Sequence, residues 1–189
     1  MVLIFQQNYS FAQYNGYPIR NYTPKEYGAF MQNWYCVQDS RGVLYFGNSS
    51  NVLEYDGRNW KKIPIVSGVA IRELCISKSG VIYVGAVGDF GYLKPLKNGE
   101  FVYRSLKDLI PASAQKFSDV WSVSEIDGAM VFQASENIYI YRDEKIEVVP
   151  PTTNTFASIA FDLNNALYFR ERKIGLMKLS CNKISLLAQ

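Results

Sequence analysis

Carboxylates are the side chains of this sequence that could act as general acid and base. Asp89, Glu125, Asp127 and Glu136 could supply the pair that a glycoside hydrolase or a polysaccharide lyase needs. Nothing in their spacing marks any two of them as a pair. The sequence also contains no histidine, which excludes Ser-His-Asp and Cys-His catalysis. We therefore predict a protein that is not an enzyme.

A second group of side chains is suited to binding rather than to catalysis. A tryptophan ring can stack on a sugar, and an arginine can pair with a carboxylate. The two tryptophans of this group are more often packing residues, and its arginine is most often a solvated or strand-paired charge. The expected ligand is a small molecule or an oligosaccharide, and the candidate ligand-binding residues are Asn33, Trp34, Arg72, Asp89, Phe90 and Trp121.

The three cysteines do not indicate a metal site. Cys36, Cys75 and Cys181 form no C-x-x-C motif, so neither zinc nor a disulfide framework is predicted. Cys36 and Cys75 lie in apolar runs, where a free cysteine behaves as a small hydrophobic residue. A bridge between these two is the alternative. We expect neither a metal nor another cofactor.

Composition narrows the class of protein further. The chain has 189 residues, of which 48% are hydrophobic and 15% aromatic, so it can bury a core and favours strands. Its net charge is only +3 and its basic residues are scattered, so no nucleic-acid partner is expected. The sequence has no apolar stretch of the length of about 18 residues that a transmembrane helix needs, so no membrane segment is predicted in this chain.

An internal repeat organises the sequence. Turn residues recur at Gly42, Gly80, Gly128 and Asn165, about 41 residues apart on average, each followed by an apolar run. Hairpin signals such as Asp-Gly at 56–57 and Asn-Gly at 98–99 divide each unit into short strands. Four short strands per unit predict an all-β protein, a partial β-propeller of about four four-stranded antiparallel blades. The predicted blades are 32–65, 70–106, 118–149 and 156–187.

This architecture leads to further expectations. Irregular loops at 86–90 and 105–118, the second with a possible helical turn, should lie at the mouth of the central channel together with the candidate ligand-binding residues. Asp39 and Asp162 should hold their own hairpin turns through side-chain hydrogen bonds. Both terminal faces of a four-blade arc should be uncovered and expose apolar area. Residues 1–16 are predicted to be a degenerate signal-peptide-like or flexible terminus, and residues 17–189 the incomplete propeller.

A resemblance to a known family rests mainly on the first two units. The residues that carry it are 18–22, 33–48, 52–57 and Trp60, then 82–85 and 91–93. These segments are similar to the two-component regulator propeller repeat of bacterial sensors, in particular the Bacteroidetes-type sensors in which a triple-tyrosine domain follows the propeller. The resemblance implies a periplasmic sensor domain with more blades, a membrane helix and an output module, of which this chain would be the N-terminal part.

The function expected from these observations is a non-catalytic sensory or ligand-binding propeller segment of a bacterial regulator. Its partners would be a small ligand and the remaining blades, or a partner chain, that cover the open edges. The alternatives are a carbohydrate-active propeller enzyme and a protein-interaction scaffold.

Overall fold

The computed structural model describes residues 19–65, 69–153, 155–181 and 183–189. The signal-peptide-like terminus predicted at 1–16 therefore lies outside the described residues. A one-turn helix, α1 (Pro24–Tyr27), precedes the first sheet. Sixteen strands in the described ranges form four antiparallel sheets of four strands each.

The strands follow the chain order within every sheet. Blade 1 contains β1 (Asn33–Gln38), β2 (Leu44–Asn48), β3 (Asn51–Tyr55) and β4 (Trp60–Pro64). Blade 2 contains β5 (Ile71–Ile76), β6 (Ile82–Ala86), β7 (Asp89–Pro95) and β8 (Phe101–Ser105). Blade 3 contains β9 (Val120–Ile126), β10 (Ala129–Ala134), β11 (Ile138–Arg142) and β12 (Lys145–Val149). Blade 4 contains β13 (Phe156–Leu163), β14 (Ala166–Glu171), β15 (Gly175–Ser180) and β16 (Lys183–Ala188).

The four sheets are arranged radially. The first strands of successive blades, β1, β5, β9 and β13, lie side by side, and residues from all four line one central cavity. The other strands of each blade extend outward from this axis. The prediction of a partial all-β propeller is confirmed.

The repeated apolar run packs each blade on both of its faces. The residue three positions after the turn points to the next blade, so Tyr45 packs with Ile71 and Val131 packs with Phe169. Residues one position before or after it point to the preceding blade, because side chains alternate along a strand. Three separate cores result, one at each junction between neighbouring blades.

Two glycines allow the innermost strands to approach the preceding blade closely. A Cβ atom on Gly47 would lie 2.8 Å from Ile71 Cγ2, and one on Gly85 would lie 2.8 Å from Val123 Cγ2. Neither distance leaves room for a side chain, so the glycine that ends the apolar run in blades 1 and 2 is a packing requirement. Gln133 and Arg170 occupy the corresponding positions in blades 3 and 4.

The hairpins that start the blades are of two kinds. In blade 1 the loop is long, and Asp39 Oδ1 accepts hydrogen bonds from the backbone N–H groups of Arg41 (2.9 Å) and Val43 (3.0 Å), as predicted. In blades 3 and 4 the turn has only two residues, and in blade 4 these are Asn164 and Asn165, both at positive φ. The predicted turn role of Asp162 is wrong, because the shorter turn leaves this residue within β13.

The predicted loop at 86–90 is also wrong. Strand β6 continues to Ala86 and β7 begins at Asp89, so these residues form a hairpin with Val87 and Gly88 at its turn. The segment at 105–118 is irregular as expected, with 3₁₀ turns at Lys107–Leu109 and Ala112–Ala114.

The two terminal faces differ, although both were expected to be uncovered. On blade 1, Tyr22 and Tyr27 pack on Trp60, with ring centroids 5.2 and 5.5 Å away, and the hydroxyl groups of Tyr22 and Tyr55 are hydrogen-bonded. The segment around α1 therefore covers this face. On blade 4, Ile159, Phe161 and Leu163 are 63%, 68% and 60% exposed, so this face is open as predicted.

Replacing Gly85 by alanine tests the close approach between blades. The added methyl group would overlap Val123 and lie 3.0 Å from the Val120 carbonyl oxygen. We expect Gly85→Ala to lower the free energy of unfolding by about 1–3 kcal/mol, measured by urea denaturation. The exposed substitution Lys97→Ala is the control and should change it by less than about 0.5 kcal/mol. Equal stability of the two variants would contradict the packing.

Candidate functional site

A β-bulge recurs near the start of the innermost strand in blades 1, 2 and 3. The extra residues are Trp34 in β1, Arg72 in β5 and Trp121 in β9, each lying between two paired positions. A bulge changes the direction of its side chain relative to the regular alternation of a strand. Because the three strands lie side by side, the three bulged residues converge on one end of the channel.

The bulged residues form a stacked cluster. Arg72 lies over both indole rings, its Cζ atom 4.2 Å from the Trp34 centroid and 4.8 Å from the Trp121 centroid, and the two rings contact each other edge-to-face with centroids 6.3 Å apart. Its Nε donates a hydrogen bond of 2.5 Å to Asp119, with which it forms an ion pair. Trp34 donates through Nε1 to Ser49 (3.1 Å) and remains 39% exposed. The cluster is an aromatic platform whose positive charge is neutralised within it.

Three of the six candidate ligand-binding residues are therefore brought together, and the other three lie elsewhere. Asn33 accepts a hydrogen bond of 2.8 Å from Asn48 and ties β1 to β2. Phe90 is fully buried and stacks on Phe132 with centroids 4.4 Å apart. Asp89 is buried in blade 2, where Ser105 donates to it (2.6 Å), and burial raises the pKa of its carboxyl group. Asp89 and Phe90 belong to the hairpin that replaces the expected loop.

A cavity of about 290 Å³ adjoins this cluster through Trp121. It lies where the innermost strands of all four blades meet, and its lining includes Tyr35, Glu73, Trp121, Ser122, Phe161 and Asp162. Among these lining residues, Trp121 was predicted from the sequence as a ligand-binding residue, whereas Tyr35, Glu73 and Ser122 were not. Tyr35 and Glu73 each follow a bulged residue and pair with a glycine of the second strand, so their shared repeat position is the signal that could have found them.

Glu73 has an unusual electrostatic environment in this cavity. The Val123 N–H and the Tyr35 hydroxyl favour the ionised form of its carboxyl group, whereas Asp162 adds a nearby negative charge. Burial is the largest effect and raises the pKa of Glu73 to about 8. The pKa of Tyr35 is raised as well, by burial and by Glu73. Glu73 is therefore mainly protonated at neutral pH.

A larger cavity of about 560 Å³ lies between the turns that start blades 1 and 2. Its polar groups serve the fold, since Arg41 donates to Asp39 (2.7 Å) and to the Tyr45 hydroxyl (3.0 Å). Ser77 Oγ likewise accepts a hydrogen bond from the Val81 N–H within its own turn. We therefore place the candidate site in the channel.

The carboxylates considered for catalysis are each held by a different structural contact. Glu125 accepts from the Lys78 N–H (2.6 Å), Asp127 from the Cys181 N–H (2.6 Å), and Glu136 from Ser118 (3.1 Å). The three cysteines are free, and burial raises the pKa of Cys75 to about 11. In the described part of the chain, no group of three or more Asp, Glu or Cys side chains is placed to hold a metal ion.

Comparison with known proteins gives structural neighbours only. No protein-family model matches the sequence, and no curated protein is significantly similar to it. Virginiamycin B lyase from Staphylococcus aureus superimposes with a TM-score of 0.62 at 16% identity, over 81% of this chain and 54% of the lyase. The extracellular domain of a hybrid two-component system from Bacteroides thetaiotaomicron gives a TM-score of 0.61 at 16% identity, over 83% and 22%. The WD40 propeller of Doa1 gives 0.56 at 13% identity, over 80% and 52%.

Because all three are below 25% identity, these neighbours establish the fold alone. The chain spans about half the length of the lyase and about a fifth of the sensor domain. The sensor domain is a protein of the kind that the sequence resemblance indicates. No helix in the described residues is long and apolar enough to cross a membrane.

Removing the Arg72 guanidinium tests the cluster. We expect Arg72→Ala to lower the free energy of unfolding by about 1–2 kcal/mol and to shift tryptophan fluorescence, because both indole rings lose a cation–π contact and Asp119 loses its ion-pair partner. Arg20→Ala is the matched control, since Arg20 also stacks on an aromatic ring, Tyr22, but is well exposed. Unchanged fluorescence in Arg72→Ala would show that the rings do not contact the arginine.

The pH dependence of stability tests Glu73. Below about pH 4.5 the carboxyl is protonated in both the folded and the unfolded chain, so its burial carries no ionisation penalty. Between this value and the folded pKa of about 8, only the unfolded chain is ionised, so stability falls as pH rises. We expect Glu73→Gln to remove this fall in thermal unfolding, while the exposed Glu147→Gln retains it. Identical profiles for Glu73→Gln and the unsubstituted chain would contradict the assignment.

Proposed function

We propose that this chain is a non-catalytic, ligand-binding segment of a bacterial sensory propeller, located in the periplasm. The observation that carries the proposal is the convergence of Trp34, Arg72 and Trp121 beside an open cavity at the propeller axis. Concave sites with aromatic walls and a few polar groups are typical of small-molecule binding. The extracellular sensor domains among the structural neighbours support a sensory role.

Binding without turnover is the expected behaviour. Thermal-shift measurements with a panel of small molecules and oligosaccharides should find a ligand that raises the melting temperature and is recovered unchanged. Trp121→Ala should abolish the shift, because Trp121 belongs to both the cluster and the cavity. Trp60→Ala is the control, because it removes a tryptophan side chain from the outermost strand of blade 1. The ligand should still raise the melting temperature of this variant. A shift that persists in Trp121→Ala would place binding elsewhere.

A propeller enzyme is the second candidate, favoured by the lyase neighbours. One of these solved structures is a catalytically inactive histidine-to-alanine variant of the lyase with quinupristin. The present sequence has no histidine, which supports a non-catalytic role. Turnover of an oligosaccharide or of quinupristin, lost when one carboxylate is replaced by its amide, would establish the enzyme instead.

The open face of blade 4 supports a partner, either further blades or another chain. In blades 1 to 3 the corresponding face is covered by the next blade. The exposed apolar residues on this face of blade 4 are Ile159, Phe161, Leu163 and Leu176. Apolar patches of a few hundred Å² on one face indicate an interaction surface.

Size-exclusion chromatography with light scattering tests this face. We expect the isolated chain to self-associate, and the double variant Leu163→Ser with Leu176→Ser to shift it towards monomer. Leu109→Ser removes a comparably exposed leucine outside blade 4 and should have no effect. A monomeric chain with a sharp thermal transition would contradict the proposed partner.

A further inference from the structure

We propose that the channel cavity binds a small organic ammonium ion. The inference rests on the proposed function, because it names the chemical class of ligand for the same site. At about 290 Å³ the cavity is about ten times the volume of one water molecule in the liquid, which is enough for a small organic cation.

The walls of the cavity include two aromatic residues from different blades, Tyr35 from blade 1 and Trp121 from blade 3. Phe161 of blade 4 borders the cavity, but its ring lies on the open face of that blade. Aromatic rings attract cations through the negative potential of their faces, most strongly for tryptophan, and such rings recognise quaternary ammonium groups. The chain already shows this chemistry, since Arg72 stacks on the same Trp121 ring.

The formal charges in the cavity lining are acidic. Glu73 and Asp162 contribute carboxyl groups, and no lysine or arginine lines the cavity. Arg72 is not among the lining residues, and Asp119 neutralises its charge. An anion would therefore meet the Asp162 carboxylate without a compensating cation, whereas an ammonium ion would meet a favourable charge.

Proton release should accompany binding. The groups around Glu73 are the Tyr35 hydroxyl on β1, the Cys75 thiol on its own strand β5, the Asp162 carboxylate on β13 and the Val123 N–H on β9. Glu125, also on β9, contributes a negative charge that raises the pKa of the Cys75 thiol. None of these groups is a cation, so the Glu73 carboxyl keeps its proton in the free protein. A bound ammonium ion would favour the carboxylate, so that affinity rises with pH as the free protein loses this proton.

Choline and 3,3-dimethylbutan-1-ol form a matched pair of probes, because they share a shape and differ in charge. We expect isothermal titration of the 189-residue chain to detect choline and to give at least tenfold weaker binding of the alcohol. Choline affinity should rise about tenfold between pH 7 and pH 9, the change in the ionised fraction of a group with a pKa near 8.

Variants identify the two carboxylates. Asp162→Asn should weaken choline binding and keep its pH dependence, whereas Glu73→Gln should remove the pH dependence. Glu147→Gln, which replaces an exposed carboxylate outside the cavity, should change neither. If Glu73→Gln does not fold, the pH dependence in Asp162→Asn and in the unsubstituted chain still tests the coupling.

Two results would overturn the inference. Equal binding of choline and the alcohol, or choline binding that is independent of pH, would show that charge does not select the ligand. Absence of choline binding at both pH values would show that the cavity is not an ammonium site. In each case the proposed ligand-binding function is tested separately, by the thermal-shift panel with the Trp121→Ala variant and its Trp60→Ala control.

Discussion

The close approach of the innermost strands β5 and β9 to the blades before them is the constraint on which the channel depends. Gly47 and Gly85 leave room for Ile71 and Val123, so β5 and β9 pack directly against the preceding sheets. This contact brings the innermost strands side by side and places their bulges at one level. The cluster of Trp34, Arg72 and Trp121 is therefore a consequence of blade packing and does not depend on long loops.

The alternation of apolar residues allowed the architecture to be predicted, whereas the details of the site depended on single-residue offsets. Turn glycines and hairpin signals recur clearly enough to define four sheets. A bulge adds one residue without a distinctive composition. The sequence therefore placed Trp34 and Arg72 at the same end of the channel but did not predict that their side chains are in contact. Asp162 was misplaced because a two-residue turn in blade 4 shifts the strand by comparison with the long loop in blade 1. Glu73 was overlooked because an acidic residue in a strand resembles an ordinary surface charge.

The two terminal blades differ in whether their outer face is covered. Tyr22 and Tyr27 cover Trp60 on the first blade, so the segment around α1 functions as a cap of the kind that repeat proteins need. The fourth blade has no such cover in the described residues, and its inner strand presents Phe161 and Leu163 to solvent. The channel and the open face share β13, so a partner that covers blade 4 would also border the ligand cavity.

Nuclear Overhauser effects from the Arg72 side chain would test the central claim most directly, since this residue connects three blades. The structure predicts contacts from the Arg72 side-chain protons to the rings of both Trp34 and Trp121, with upfield shifts caused by the two indoles. Contacts to only one ring, or to neither, would mean that Trp34 of blade 1 and Trp121 of blade 3 do not both contact Arg72 of blade 2. This result would contradict the arrangement of the channel and the proposed binding site.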